Sequence, residues 1–405
     1  MNTRFGIPWV APALLLLLLT TAFAMEDGRI GVIYICHPVH TPGFDFMRTE
    51  PIFSMTFVAA TYGWGGWDMY DIQRAIRLYM PRTYQELVTK YDVIMLDNAN
   101  RGNIPTRQLE LLARAIKEGN SGLVMGGGWE SFGGSGPAHP PWGETSLGEL
   151  LPVEDIVGTW AESGRLVIVD WDHEYISSIP WDRRGAFMER WHHNKVKVKS
   201  GAKLLANADS NTLPFPGETH PMFITWDLPG GSRVFACTGN FVFIGGVSLI
   251  PWEYYGDAFS NLAIYLDGRP VPQDVELVHS VRTMSFQIKT RGSMLLSLLE
   301  FTEGFGANSR DIMVQLDSVN EMMAGVMQDY IDLRFEEVLG VYRDVEGILV
   351  SLEGEAIELK NRALLWVYVI EWLAISGTGL IAGFILWSVM VRRRLYREAG
   401  GTRFA

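Results

Sequence analysis

Three clusters in this chain combine residue types that carry chemistry. The first is Gly126-Gly-Gly-Trp-Glu-Ser-Phe-Gly-Gly134, which follows the apolar stretch Gly122 to Met125. Glycine tolerates positive φ and lets a ligand or a second backbone come close. Glu130 in such a turn is a candidate general acid or base, and Ser131 a candidate nucleophile if a histidine comes within reach. Each also has a plain structural reading: the carboxylate as a partner of a helix N-terminus, the serine as a turn or capping residue. The second cluster is Asp172-His173-Glu174, which offers acid–base groups after a strand or, more simply, a polar turn. The third is Cys36-His37-Pro-Val-His40. Here His37 and His40 could begin a zinc site that Asp45 or Asp97 completes. No other cofactor is expected. His139 reads as a loop residue, and His192-His193, between Trp191 and Asn194, suits surface recognition as much as ligation.

Strands and helices must bring such groups to one edge. Arg29 to Cys36 is a β-branched run, read as the first strand. Phe44 to Ala60 is read as helical in part, with Pro51 interrupting it, and Asp68 to Tyr79 has helical spacing. Tyr91 to Leu96 is the next strand, closed by Asp97-Asn98. Pro105 to Lys117 is an amphipathic helix with Leu109, Leu112, Ala113 and Ile116 on one face. The strand into the glycine turn follows. This strand–helix–strand spacing predicts a βαβ unit and a parallel sheet. Ligands of such sheets bind in the crevice beyond the strand ends. Asp97, Asn98, Gly127, Gly128 and Trp129 are therefore the ligand-binding candidates. Arg165 to Val169, Ser232 to Cys237 and Phe241 to Val247 read as further strands, Lys195 to Ala206 as extended, and Trp252 to Leu266 as a closing helix. Trp64, Trp67, Trp129, Trp142, Trp171, Trp181 and Trp191 fall mainly in loops, where they could hold a small molecule, sugar or peptide or seal a core.

The stretch Tyr91 to Trp160 resembles the putative glutamine amidotransferase-like domains of the class I glutamine amidotransferase-like superfamily. The Asp97 strand end, the glycine turn and Leu150-Leu-Pro-Val153 carry the resemblance. So do Asp172-His-Glu174 ahead of Pro180-Trp181, Lys199-Ser-Gly-Ala202 and Gly231-Ser-Arg-Val234. It covers about residues 30–268 and implies an α/β fold: a flavodoxin-like three-layer sandwich with a mostly parallel sheet. A working glutamine amidotransferase needs a cysteine at the strand-to-helix turn, activated by a histidine. This turn has no thiol, and the only histidine after Cys237 is His279. A fold does not supply a reaction by itself. The resemblance therefore implies a ligand-binding or scaffold module without glutaminase activity. The alternatives are a surface hydrolase or transferase using carboxylate and histidine groups, and a structural envelope protein.

The ends set the expected compartment. Residues 1–24 read as a signal peptide, with Arg4, the run Leu14 to Leu19 and Ala22-Phe-Ala24. Residues 25–274 form the α/β domain and 275–363 a helical, coiled-coil-like stalk. Residues 364–391 form a transmembrane helix, and 392–405 a basic tail. The charge-free run Trp372 to Val391 matches the hydrocarbon thickness. Arg392-Arg-Arg394 then puts the C-terminus in the cytoplasm and the main domain outside. The net charge is −12 although both ends are basic, which disfavours nucleic acid as a partner. Cys36 and Cys237 could form one disulfide or two buried thiols. In the stalk, Met284 to Glu300 reads as one helix and Arg310 to Asn361 as a run without proline. The latter carries two stripes at steps of 4 and 3: Ile312, Leu316, Val319, Met323, Val326, Tyr330, Leu333, then Ile331, Phe335, Val338, Tyr342, Val345, Leu349, Leu352. They predict self-association, packing on a membrane-protein partner, or a helical hairpin. Gly340, Gly347 and Gly354 share one face, suited to close approach of another helix.

Overall fold

Runs rich in β-branched and aliphatic residues, buried along their whole length, build the centre of a mixed α/β structure. The computed structural model describes residues 28–37, 42–61, 67–136, 139–184, 188–210, 219–239 and 252–401. The proposed signal peptide, His40, Trp64, the run Phe241 to Val247 and the last tail residues lie outside them. The strands are β1 (Ile30–Cys36), β2 (Phe53–Ala59), β3 (Val93–Asp97), β4 (Gly122–Gly126), β5 (Val153–Ile168), β6 (Met188–Val198), β7 (Lys203–Ser210), β8 (Thr219–Asp227) and β9 (Arg233–Cys237). They form one nine-stranded sheet in the order β2-β1-β3-β4-β9-β8-β7-β5-β6. Pairing is parallel from β2 through β9. Beyond β9 it is antiparallel. Cys36, Asp97, Gly126 and Cys237 stand in one row of the register. That row is the carboxyl edge of the parallel strands.

Helices cover the sheet. They are α1 (Pro42–Thr49), α2 (Met69–Tyr79), α3 (Tyr84–Lys90), α4 (Thr106–Glu118), a turn α5 (Glu174–Ser177) and α6 (Tyr255–Asp267). Asp68 and Asp71 form a capping box that starts α2. In α4 the expected face is buried, including Leu109, Leu112, Ala113 and Ile116. The reading of Phe44 to Ala60 as helix needs correction. Helix α1 ends at Thr49, Pro51 follows, and the β-branched and aromatic residues after it form β2. The extended stretch before Arg165 belongs to β5 as well, so that strand is far longer than expected.

The chain divides into two compact units. The first comprises residues up to Thr283 together with Val326–Leu339, and the second comprises Met284–Gly325 and Gly340–Ala405. The boundary therefore falls later than residue 274, and a piece of the expected stalk belongs to the first unit. The helices here are α7 (Val275–Glu303), α8 (Arg310–Gly325), α9 (Met327–Ile331) and α10 (Phe335–Gly401). The expected unbroken helix from Arg310 to Asn361 is not formed. Gly325 ends α8, and Leu333 takes φ 62 between α9 and α10. Arg334 holds this turn through its pairs with Asp329 and Asp332.

A buried polar cluster secures Val326–Leu339 inside the first unit. Tyr330 donates to Glu50, and Arg282 donates to Asp257 at 2.9 Å and lies 4.0 Å from Glu50. Phe335 faces the Arg282 guanidinium. His279 also bonds Asp257 at 2.7 Å. That bond is the largest of the contacts that raise the imidazole pKa above its ordinary value. Buried charges of this kind hold only while each keeps its partner.

Within the second unit the second stripe is filled by the chain itself. Tyr342, Val345, Leu349, Leu352 and Ala356 are fully buried. Ile288, Leu295 and Leu299 of α7 and Ile312, Leu316 and Val319 of α8 are buried too. Arg291 pairs with Glu353 across α7 and α10. Self-association through this stripe would compete with that packing. Gly340, Gly347 and Gly354 have nothing within 4 Å of an added Cβ, so no helix of this chain approaches that face. Among the described residues, α10 is the one helix long and apolar enough to cross a membrane, with mean hydropathy 1.9 over its best window.

Replacing Arg282 by Met strands Glu50 and Asp257 in the interior. The expected loss of stability is about 3–5 kcal/mol, read by urea denaturation. Adding Asp257→Asn to that variant should recover part of the loss.

Candidate functional site

The carboxyl edge is shaped by what crowds around Gly127. A Cβ at that position would collide with the Thr238 carbonyl, and one at Gly128 with the Asn98 amide. The Gly127 N–H donates to the carbonyls of Cys237 and Gly239, at 2.7 and 2.9 Å. Gly128 holds φ 147, a conformation L side chains rarely adopt. The glycines thus serve close packing of the β4 and β9 exits on each other. The close approach expected for a ligand is occupied by backbone.

Asn194, from β6, finishes the turn. Its Oδ1 accepts from Gly128 N at 2.8 Å, and its Nδ2 donates to the Gly128 and Ser131 carbonyls at 2.9 Å each. Its own N–H reaches Thr238 O at 2.9 Å. Asn98, at φ 50 after β3, accepts from Glu130 N at 2.9 Å. Its carbonyl accepts from Thr61 Oγ1 at 2.8 Å. Asn takes the left-handed region more readily than most residues.

These contacts fix Glu130 in place. Its Oε2 accepts from Asn100 Nδ2 at 2.9 Å and lies 2.6 Å from His139 Nδ1. Its carbonyl accepts from Trp142 Nε1 at 3.1 Å. The Glu130 and His139 side chains are 15% and 26% exposed, so the pair faces the edge without being dispersed in solvent. With Nδ1 donating to the carboxylate, His139 Nε2 is left as a proton acceptor. Neither Nε2 nor Glu130 Oε1 has a partner among the described residues. Trp129, nearly half exposed, flanks Glu130 in sequence.

The remaining candidates separate. Asp97 is fully buried at the same edge, where it accepts from Tyr34 OH at 2.8 Å. Ser131 is buried beneath the turn, and the nearby His139 bonds Glu130 rather than the serine. Asp172, His173 and Glu174 lie at the opposite end of the strands. Glu174 pairs at 3.0 Å with Arg233, the first residue of β9, whereas Gly127 meets the last. His173 caps α5 by accepting from Tyr175 N, and burial lowers its pKa. The structure therefore does not bring this triplet to Glu130. It serves as a capped polar turn, with Gln273 bonding the Glu174 carbonyl.

Both cysteines are free and buried, and β3 and β4 lie between their strands. That removes the disulfide alternative. Burial pushes the Cys36 thiol well above its ordinary pKa, and the Asp97 carboxylate adds to the effect. A thiol held protonated is a poor nucleophile. His37 accepts from this thiol through its carbonyl. Its proposed zinc partner, His40, falls outside the described residues. Among the described residues no group of three or more His, Cys, Asp and Glu could hold a metal. Of the loop tryptophans, Trp142 and Trp181 are buried and structural, while Trp67, Trp129 and Trp171 are exposed.

Two residues of this site carried no clear sequence signal. His139 was indistinguishable from a loop residue, because its partner is set by the turn's return path. Asn194 comes from a strand far along the chain, and only the pairing of β6 with β5 brings it near. The segments that carry the family resemblance prove to be packing devices. Lys199 donates to the carbonyls of Gly148 and Glu149, at 2.8 and 3.1 Å, and Ser232 to that of Ile116. No family model matches the chain, and no curated protein matches it either.

Asn194→Ala removes three buried hydrogen bonds from the turn. A loss of about 2–4 kcal/mol is expected, and chemical denaturation of the purified protein would measure it.

Proposed function

We propose that this chain is a membrane-anchored, amidotransferase-like binding module without thiol glutaminase chemistry. The observation that carries the reading is the turn after β4. Its sequence Gly127-Gly-Trp-Glu-Ser131 has no sulfur, and the crowding at Gly127 and Gly128 leaves no room for one there. The order β2-β1-β3-β4-β9 of the parallel strands supports a flavodoxin-like, doubly wound arrangement. The apolar helix followed by Arg392-Arg-Arg394 supports single-pass anchoring with the α/β domain outside the cell membrane. The ligand would be a small molecule, sugar or peptide. Its polar groups would meet His139 Nε2 and Glu130 Oε1, and a flat face would stack on Trp129.

A second reading, a surface hydrolase, is favoured by one observation: the 2.6 Å contact that orients His139 against Glu130. An imidazole fixed by a carboxylate is a proper general base for a bound water. The pair acts at the turn, without Asp172 or His173.

The full-length protein in detergent should release no ammonia from glutamine above the rate without protein. Ammonia release that survives His139→Asn would sink the first reading. Hydrolysis of chromogenic ester or glycoside substrates, abolished by His139→Asn and kept in His173→Asn, would establish the second instead.

A further inference from the structure

Unit 2 ends in an apolar tip that the packing of its helices leaves uncovered. Helix α7 runs out to Glu303, the loop from Gly304 to Ser309 reverses the chain, and α8 leads back. Helix α10 leads out again beside α7. The two run in the same direction, since Arg282 lies over Phe335 near their starts and Arg291 pairs with Glu353 further along. Ten residues beyond that ion pair, about 15 Å at the rise of an α-helix, Phe301 of α7 is level with Ala363 of α10. Ala363 is the last buried residue of α10; Leu365 and Trp366 just beyond it are exposed. The tip of the hairpin therefore stands where the apolar segment of α10 begins.

At the tip Phe301 and Phe305 are half-exposed, with ring centroids 4.9 Å apart. Exposed aromatic side chains at a helix end are costly in water and favoured at a bilayer interface. The backbone of the turn is satisfied internally. Gly306, at φ 81, donates to Glu303 O at 2.8 Å, and Ala307 N to Thr302 O at 3.3 Å. This is the paired closure of a Schellman cap. Thr302 Oγ1 bonds Leu299 O, and Ser309 bonds the Glu303 carboxylate. A turn with its carbonyls and N–H groups paired can enter a region of low water content at little cost. On α10, Lys360 and Arg362 lie at the same level, suited to lipid phosphates. Trp366, Tyr368 and Trp372 continue the aromatic belt along the helix, all exposed.

We propose that the Phe301–Phe305 tip inserts into the headgroup region of the bilayer crossed by α10, forming a second contact with the same membrane. Glu300 and Glu303 on the same turn keep the insertion shallow. The inference rests on reading α10 as a membrane span. Its partner is the lipid surface itself, because the tip is continuous with that span and level with its start.

The test uses the full-length protein in phospholipid nanodiscs with nitroxide labels at single introduced cysteines; the two native thiols are buried. Phe305→Cys reports on the tip, Ile381→Cys on the span, and Val350→Cys on an exposed point of α10 before it. The readout is accessibility to oxygen, which concentrates in lipid, against a nickel chelate, which stays in water. The expected result is an oxygen-to-nickel ratio several-fold higher at residue 305 than at 350, with 381 higher still. If 381 is lipid-embedded while 305 matches 350, the tip proposal is overturned and the span stands. If 381 also matches 350, the span reading fails and takes the tip with it.

Discussion

The close approach of two strand exits governs this molecule. Where β4 and β9 leave the sheet, the Gly127 backbone rests against Thr238 and Gly239. Nothing with a side chain fits at that point. The constraint forces glycine into the turn, sends Glu130 toward Asn98 and Asn100, and draws Asn194 in to close the gap. The chemistry of the edge follows from it. A position where related folds carry a nucleophile is spent here on packing, and the reactive groups that remain are a carboxylate and an imidazole beside it.

A second constraint acts at the sheet's other flank. Glu50, Asp257 and Arg282 are buried together, and Tyr330 and His279 complete their hydrogen bonding. Such a cluster gains little over a well-packed apolar one, yet it is costly to break. Its effect is to fix where Val326–Leu339 docks, and hence where α10 departs. The anchor helix and the α/β unit are thereby joined by packed structure rather than by a free linker.

Much of the fold was legible locally. The strands β1, β3, β4 and β9 are short apolar runs with turn residues at their ends, and α4 and α6 have clear faces. Phe53–Ala59 was misread because its apolar residues suit either a helix or a buried strand, and periodicity alone does not choose. The break at Leu333 was invisible for a related reason. Nothing in Arg310–Asn361 forbids a continuous helix; Tyr330 and Phe335 are turned inward by partners far away in sequence.

By itself the sequence determined the elements, the absence of a thiol in the turn and the apolar helix with its arginine stop. These depend on composition and on spacing over a few residues, which local sterics and hydrophobicity control. The tertiary structure alone decided which groups meet. It paired Glu130 with His139, gave Asn194 to the turn, and sent Asp172-His173-Glu174 to the far end of the strands. Those outcomes depend on strand order and direction, which no single segment encodes. A side chain's chemistry is written in its residue type, but its partner is chosen by contacts that only the folded chain makes.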